Sequence, residues 1–232
     1  MKLLVVGSCT GEKDVRDCPY SLTEADFDDP ATLLRREAEL RSWAMPATRL
    51  YTGWQHRYTV MGVTTIRQRF GSAACVMKII SAGYGLVSEV RSLVPYEATF
   101  QHKRPTWIKE RAQKLGIPQT LQQAIRDFEA VIFLLGKQYL IAVHPPSLAP
   151  ARTQRLIFLA SNAKLPVHPN VTVVPAGLDE TRFGAGLVAL KGKMFELFAY
   201  GLCRRPDAWN EVLTDPTAET FLRLVEAGRG QA

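Results

Sequence analysis

The sequence predicts an α/β fold: a central parallel or mixed sheet with helices on both faces. Three observations carry this expectation. Short, near-continuous apolar runs at residues 2–7, 73–81 and 131–135 read as strands buried on both faces, and 156–160 and 171–174 are further strand candidates. The segments between them carry apolar residues at helical spacing. Glycine and proline punctuate the boundaries, and no repeat of fixed period or Gly/Ser linker divides the chain. With 232 residues, 47% hydrophobic and 22% charged, the chain is expected to form one domain over 1–232. Residues 1–140 carry the motifs, and 141–232 complete the same domain. A chain of this length buries roughly 70% of the surface its unfolded form exposes, enough for a core without staples.

In order, residues 2–7 form a strand that enters a small-residue loop. Residues 8–30 are too polar and too rich in turn formers for regular structure, and a loop of that length is functional or mobile. A helix is predicted over 31–44, capped by Asp28 or Asp29 with Pro30 in its first turn. Residues 49–52 read as extended. A helix over 54–70 follows from Tyr58, Met61, Val63, Ile66 and Phe70, and the strand 73–81 leads into a glycine-bearing loop at 82–87. Helices are predicted over 105–115 and 119–128, broken by Gly116 and Pro118, and the strand 131–135 ends at Gly136. The proline-rich stretch 144–150 is a loop, 186–203 a long amphipathic helix, and 216–227 a closing one.

Composition narrows the function classes. The longest uninterrupted apolar run, residues 130–135, is far short of the about 20 residues that a membrane helix needs, so no membrane partner is expected. The apolar stretch at 3–6 is shorter than the roughly 7–15 residues of an export signal, so the protein is expected in the cytoplasm and, by default, as a monomer. Cys9, Cys18, Cys75 and Cys203 include no CxxC pair and are expected as reduced thiols. The four histidines (His56, His102, His144, His168) lie far apart with no nearby acid at ligand spacing, so neither metal nor cofactor is expected. The net charge is +7, but unevenly spread: residues 1–30 hold three basic and seven acidic side chains, and the rest hold 26 basic and 15 acidic. A basic body points to a polyanion, nucleic acid being the commonest, or else to a merely basic protein.

In such a sheet ligands bind outside the carboxyl ends of the strands. The first strand ends in Gly7-Ser8-Cys9-Thr10-Gly11-Glu12-Lys13-Asp14, which has neither P-loop nor dinucleotide-fingerprint spacing. What it offers is carboxylates beside an amine: Glu12 and Asp14 to stabilise a cationic sugar or orient water, with Lys13 between them. The alternative is a solvated polar loop. The second strand end presents Tyr84 between Gly83 and Gly85, a stacking surface for a flat base or a packed core aromatic. Lys137 after the third strand and His144 in a proline-fixed loop are candidate donors to a base. Lys103, Arg104, Lys109, Arg111 and Lys114 surround Trp107, a pattern that suits phosphate contacts plus stacking, or an exposed charged helix. Arg182, Lys191 and Lys193 near a glycine-rich helix start could add phosphate contacts.

Leu50-Tyr51-Thr52-Gly53, Ile80 to Val87 (ISAGYGLV), Pro95-Tyr96-Glu97 and Leu134 to Tyr139 (LLGKQY) occur in that order. This series resembles a family of bacterial domains with motifs of the type LYTG, ILSAKYGL, PY and LLG..Y. That family is similar to the YaaA peroxide-stress proteins, which bind DNA, to the glycosylase-like module of archaeosine synthase, and more remotely to the uracil-DNA glycosylase fold. The resemblance covers about residues 1–140 and departs from the pattern at Gly83 and in the acidic stretch 23–30. It implies a uracil-DNA-glycosylase-like fold. It also implies a DNA N-glycosylase acting on a modified base, similar to an anti-phage glycosylase that removes glucosylated hydroxymethylcytosine. On that reading the base is flipped into a pocket formed by Ser8, Cys9, Gly83, Tyr84, Gly85, Lys137 and His144. Glu12 or Asp14 stabilises the sugar cation, or Lys13 attacks it as an amine. Two other readings stay open: a non-catalytic DNA-binding stress protein of the YaaA kind, and a nucleoside hydrolase or transferase.

Overall fold

The apolar runs form one sheet. The computed structural model describes residues 1–15, 18–161, 165 and 168–231. The strands of its main sheet are β1 (Leu3–Ser8), β2 (Cys75–Ser81), β3 (Gly85–Ser88), β4 (Ala130–Phe133), β5 (Arg155–Ala160) and β6 (Val171–Pro175). Their spatial order is β6-β5-β4-β1-β2-β3, parallel throughout except for the antiparallel hairpin of β2 with β3. β1 lies at the centre, Leu3 opposite both Cys75 and Ala130, and Leu3 to Val6 are fully buried. This is why the strand reads as an unbroken apolar run instead of alternating.

The α-helices longer than one turn are α1 (Pro30–Glu39), α2 (Trp54–Phe70), α3 (Pro105–Lys114), α4 (Ile117–Ala124), α5 (Lys137–Val143), α6 (Leu190–Arg204), α7 (Ala208–Thr214) and α8 (Ala218–Gly228). The connection from β1 to β2 contains α2, and that from β4 to β5 contains α5. These crossovers run outward from the centre in opposite directions, so the right-handed rule sends their helices to opposite faces. α2 rests on β1 and β2, α6 packs between α2 and α8, and α8 reaches β6. On the other side α3, α4 and α5 pack together. Among the described residues no helix is long and apolar enough to cross a membrane.

The α2–α6–α8 layer is held at backbone contact by glycine. A Cβ on Gly192 would lie 2.2 Å from the carbonyl oxygen of Gln55, and one on Gly201 would lie 2.0 Å from that of Leu224. Stacked rings complete this layer, Phe198 on Phe221 at 4.5 Å, while Phe133 and Phe158 stack at 4.3 Å between neighbouring strands.

Several expectations are corrected. Residues 85–88 form β3 rather than a loop: Gly85 takes a left-handed φ of 74°, the chain reverses, and Leu86 and Val87 pair with Ile80 and Ile79. Of the predicted extended piece 49–52, residues 49–50 belong to a helical turn over 47–50 while Tyr51 is extended and bridges Lys13, and α1 stops at Glu39, short of residue 44. α5 and α7 are helices of seven residues each, too short to show a period. The acidic stretch is ordered: Leu22–Thr23 pairs with Tyr96–Glu97, and Glu24–Asp28 forms a 3₁₀ turn capped by reciprocal Thr23 and Asp26 bonds.

Candidate functional site

The strand order reverses between β1 and β4. The loops leaving their carboxyl ends diverge there, and a crevice opens. It holds a cavity of about 470 Å³, within the range of small-molecule sites. The loop after β1 supplies one wall. Segment 12–14 runs antiparallel to 50–52, with the Thr52 amide bonded to the Glu12 carbonyl at 3.1 Å and the Asp14 amide to the Leu50 carbonyl at 2.7 Å. Extended backbone sends neighbouring side chains to opposite sides. Glu12 therefore lines the cavity, while Lys13 lies with its Nζ 4.6 Å above the ring centre of Tyr96.

Three helices begin at this cavity. The first turn of α2 contributes Trp54 and Gln55, and the Gln55 amide is anchored by donating to the Leu134 carbonyl at 3.0 Å. The first turn of α5 contributes Gln138 and Tyr139. The Tyr139 hydroxyl contacts Cys9 Sγ at 3.0 Å and donates to the Cys9 carbonyl at 3.2 Å. The segment before α6 adds Leu187 and Val188 at an exposed apolar lip, and α6 adds Lys191, whose Nζ donates to the Leu135 carbonyl. The side-chain amides of Gln101 and Gln138 bond to no described residue, so both remain available to a ligand. Burial pushes the Lys191 ammonium down to about 8, because desolvation penalises its charged form. Glu12 is the one carboxylate among the described lining residues.

Behind this cavity the motif residues form a buried hydroxyl chain. Tyr96 OH contacts Tyr51 OH and Ser81 Oγ, each at 2.7 Å, and Ser81 Oγ accepts the amides of Gly83 and Tyr84. Burial raises the Tyr51, Tyr96 and Tyr139 phenols, with the nearby Cys9 acting in the same direction, so all three stay protonated. The chain ties the end of β2, through Ser81, to Tyr51 and Tyr96; it is support for the site rather than a proton acceptor.

The residues expected to form one base pocket are not all brought together. Ser8, Cys9 and Glu12 line the crossover cavity; Lys13 and Asp14 do not. Tyr84 is half-buried and outside it, edge-to-face with Phe27 at 4.9 Å and Tyr96 at 5.2 Å. Among the described residues no pocket opens beside Gly83, since a Cβ there would meet the Phe27 ring at 2.6 Å, and Gly85 packs on the Leu115 carbonyl. Lys137 and His144 face a second cavity with Lys109.

Most of the expected phosphate-binding cations already have partners within the chain. Lys103 pairs with Glu24 at 2.9 Å and covers the Trp107 ring; Arg111 and Lys114 both hold Asp28, at 2.6 and 2.8 Å. The Lys114 and Arg111 bonds keep the Asp28 carboxyl below the usual range. Arg182 pairs with Glu226 at 3.4 Å and Lys193 with Glu196 at 2.8 Å. Arg104, Lys109 and Lys137 are exposed and ion-paired with no described residue. The acidic N-terminal stretch and the basic helix, read from the sequence as separate charges, thus largely neutralise one another.

Sequence reasoning took Lys191 for a phosphate contact, not a cavity-lining amine, and missed Trp54, Gln55, Gln101 and Gln138. The one available signal was Gly53, which ends the LYTG motif where α2 begins. Among the described residues no group of three or more His, Cys, Asp or Glu side chains could hold a metal ion. No protein-family model matches the chain, and no curated protein matches its sequence.

Proposed function

We propose that this protein is a DNA N-glycosylase that takes a flipped, modified base into the crossover cavity and hydrolyses its bond to the sugar. The observation that carries the reading is the convergence of one carboxylate (Glu12), one desolvated amine (Lys191) and two unpaired amides (Gln101, Gln138) on a nucleoside-sized cavity at the strand crossover. The amides suit the donor and acceptor pattern of a base edge. The exposed Trp54, Leu187 and Val188 make an apolar rim of the kind that can replace lost stacking. A parallel β2-β1-β4-β5 core with its site at the carboxyl edge supports the uracil-DNA-glycosylase-like fold.

In the reaction the C1′–N bond breaks, with positive charge developing on the sugar. Glu12 stabilises that charge and takes a proton from the water whose hydroxyl adds to C1′. The Lys191 ammonium supplies the proton with which the base leaves. Lys13 stands over Tyr96 outside the cavity, so water is the nucleophile and the product is an abasic site without a strand nick. The protein acts as a monomer in the cytoplasm, on a cytosine carrying a bulky 5-substituent such as a glucosylated hydroxymethyl group.

The test is mass-spectrometric counting of released bases and abasic sites after incubation with unmodified, hydroxymethylated and glucosylated DNA. Freed modified base in step with abasic sites is the expected result. Tight binding with every DNA left intact would overturn the reading in favour of a non-catalytic binder.

Lys191 gives the reaction a high-pH limb. Its ammonium is populated below about 8 and lost above it, so base release is expected to fall as pH rises through about 8. Lys191→Arg, charged throughout this range, should remove the limb. A wild-type rate flat from pH 7 to 9.5 would show that Lys191 does not act as the acid.

A further inference from the structure

The second cavity, about 600 Å³, lies on the other side of α5 from Glu12. Helical spacing explains the division. Lys137, Leu140, Ile141 and His144 stand at i, i+3, i+4 and i+7 and share one face, while Gln138 and Tyr139 point into the first cavity. Lys109 enters from α3 and Lys191 borders both cavities. No Asp or Glu occurs among its described lining residues. Lys109 and Lys137 are exposed and ion-paired with no described residue, unlike most cations on this side of the molecule. Leu140, Ile141 and Pro145 give the cavity an apolar floor.

An apolar floor under uncompensated positive charge selects a particular chemistry: a phosphate ester that carries a flat ring. Fixed cations around a concave, partly apolar surface concentrate anions, and the floor excludes the simplest inorganic ones from half their contacts. The cavity also opens at the carboxyl end of β5, through Ala160 and Ser161, on the edge of the sheet where Glu12 stands. We infer that this second cavity is a nucleotide subsite, in which Lys109 and Lys137 hold a phosphate and the α5 face packs against its base. This deepens the glycosylase reading, on which it rests: the occupant is a nucleotide of the same strand as the target, and α5 is the partition between the two.

The experiment measures fluorescence anisotropy of a labelled decathymidylate against salt. The variants are Lys109→Ala with Lys137→Ala and, as a charge-reversing second test, Lys137→Glu alone. A charge-matched control, Lys2→Ala with Arg69→Ala, removes two exposed cations from the opposite edge of the sheet. The lysine pair is expected to weaken binding and to lower the slope of log affinity against log salt by about 0.7 for each phosphate that is no longer neutralised. Lys137→Glu alone should also weaken binding, and the control should keep most of the wild-type affinity. An unchanged slope in the lysine pair, or an equal loss in the control, would overturn the subsite. Calorimetry with thymidine 5′-monophosphate separates the two sources of this chemistry: saturable binding that the lysine pair abolishes assigns a free nucleotide, and no heat alongside the decathymidylate effect assigns the strand. Base release is scored separately. DNA binding that depends on Lys109 and Lys137 without any released base would remove the glycosylase reading and leave the subsite standing.

Discussion

Glu12→Gln is expected to lower single-turnover base release by about 10²- to 10⁴-fold, the usual contribution of a positioned acid or base. The substitution keeps the side chain's length and shape, so the loss isolates the negative charge. The surrounding backbone does not depend on that carboxylate. The 12–14 segment is held through main-chain bonds to Leu50 and Thr52, and the Thr10 hydroxyl donates to the Glu12 carbonyl at 2.5 Å. Folding should therefore be unchanged by thermal melting, and DNA affinity should stay near wild type or rise as a repulsive charge is removed. The measurement is the rate of freed base at saturating enzyme. A Glu12→Gln protein that releases base at the wild-type rate would place the catalytic carboxylate elsewhere.

Gly201→Ala is the second large effect, on stability. The new methyl would have to occupy space 2.0 Å from the Leu224 carbonyl oxygen, and a carbonyl in a helix cannot swing aside as a side chain can. α6 and α8 must separate, and the Phe198–Phe221 stack separates with them. Overpacking of this kind costs about 3 kcal/mol, which for a domain of this size lowers the melting temperature by roughly 6–12 °C. Gly186→Ala is the comparison: its Cβ meets nothing within 4 Å, so its melting temperature should move by no more than about 2 °C. Equal melting of the two variants would refute the close-packed seam.

Much of the framework was legible in the sequence, because its signals are local. The run Leu3 to Val6 has to be a doubly covered strand, and the spacing of Tyr58, Val63 and Ile66 matches the bounds of α2. The misses also have physical causes. α5 spans only two turns, and β3 depends on a left-handed Gly85 that permits a reversal without demanding one. The site was legible only in part. Ser8, Cys9 and Glu12 leave a strand that the sequence already shows, so their place at its carboxyl edge follows. Gln55, Gln101 and Gln138 are brought together only by the crossovers; the LYTG and LLGKQY motifs mark the neighbourhoods of two of them without singling out the glutamines. The charge reading was incomplete for the same reason: Asp28 meets Arg111 and Lys114 across more than eighty residues, so a count of side chains could not show that these cations have partners within the chain. Tyr51, Ser81 and Tyr96 each fall in one of the quoted motifs, and nothing in the sequence shows that their hydroxyls bond to each other.

The contact of Gly192 with Gln55 has a dynamic consequence. The first turn of α2 carries Trp54 and Gln55, and the first turn of α6 carries Lys191, so two walls of the crossover cavity meet at a seam with no room for a methyl group. Those walls travel as one body. On the proposed reading, the widening that would admit a flipped nucleotide comes from the opposite side, by displacement of the 8–14 loop or of short α5. On the glycosylase reading, the same seven-residue helix then takes part both in substrate entry and in the partition between the two cavities.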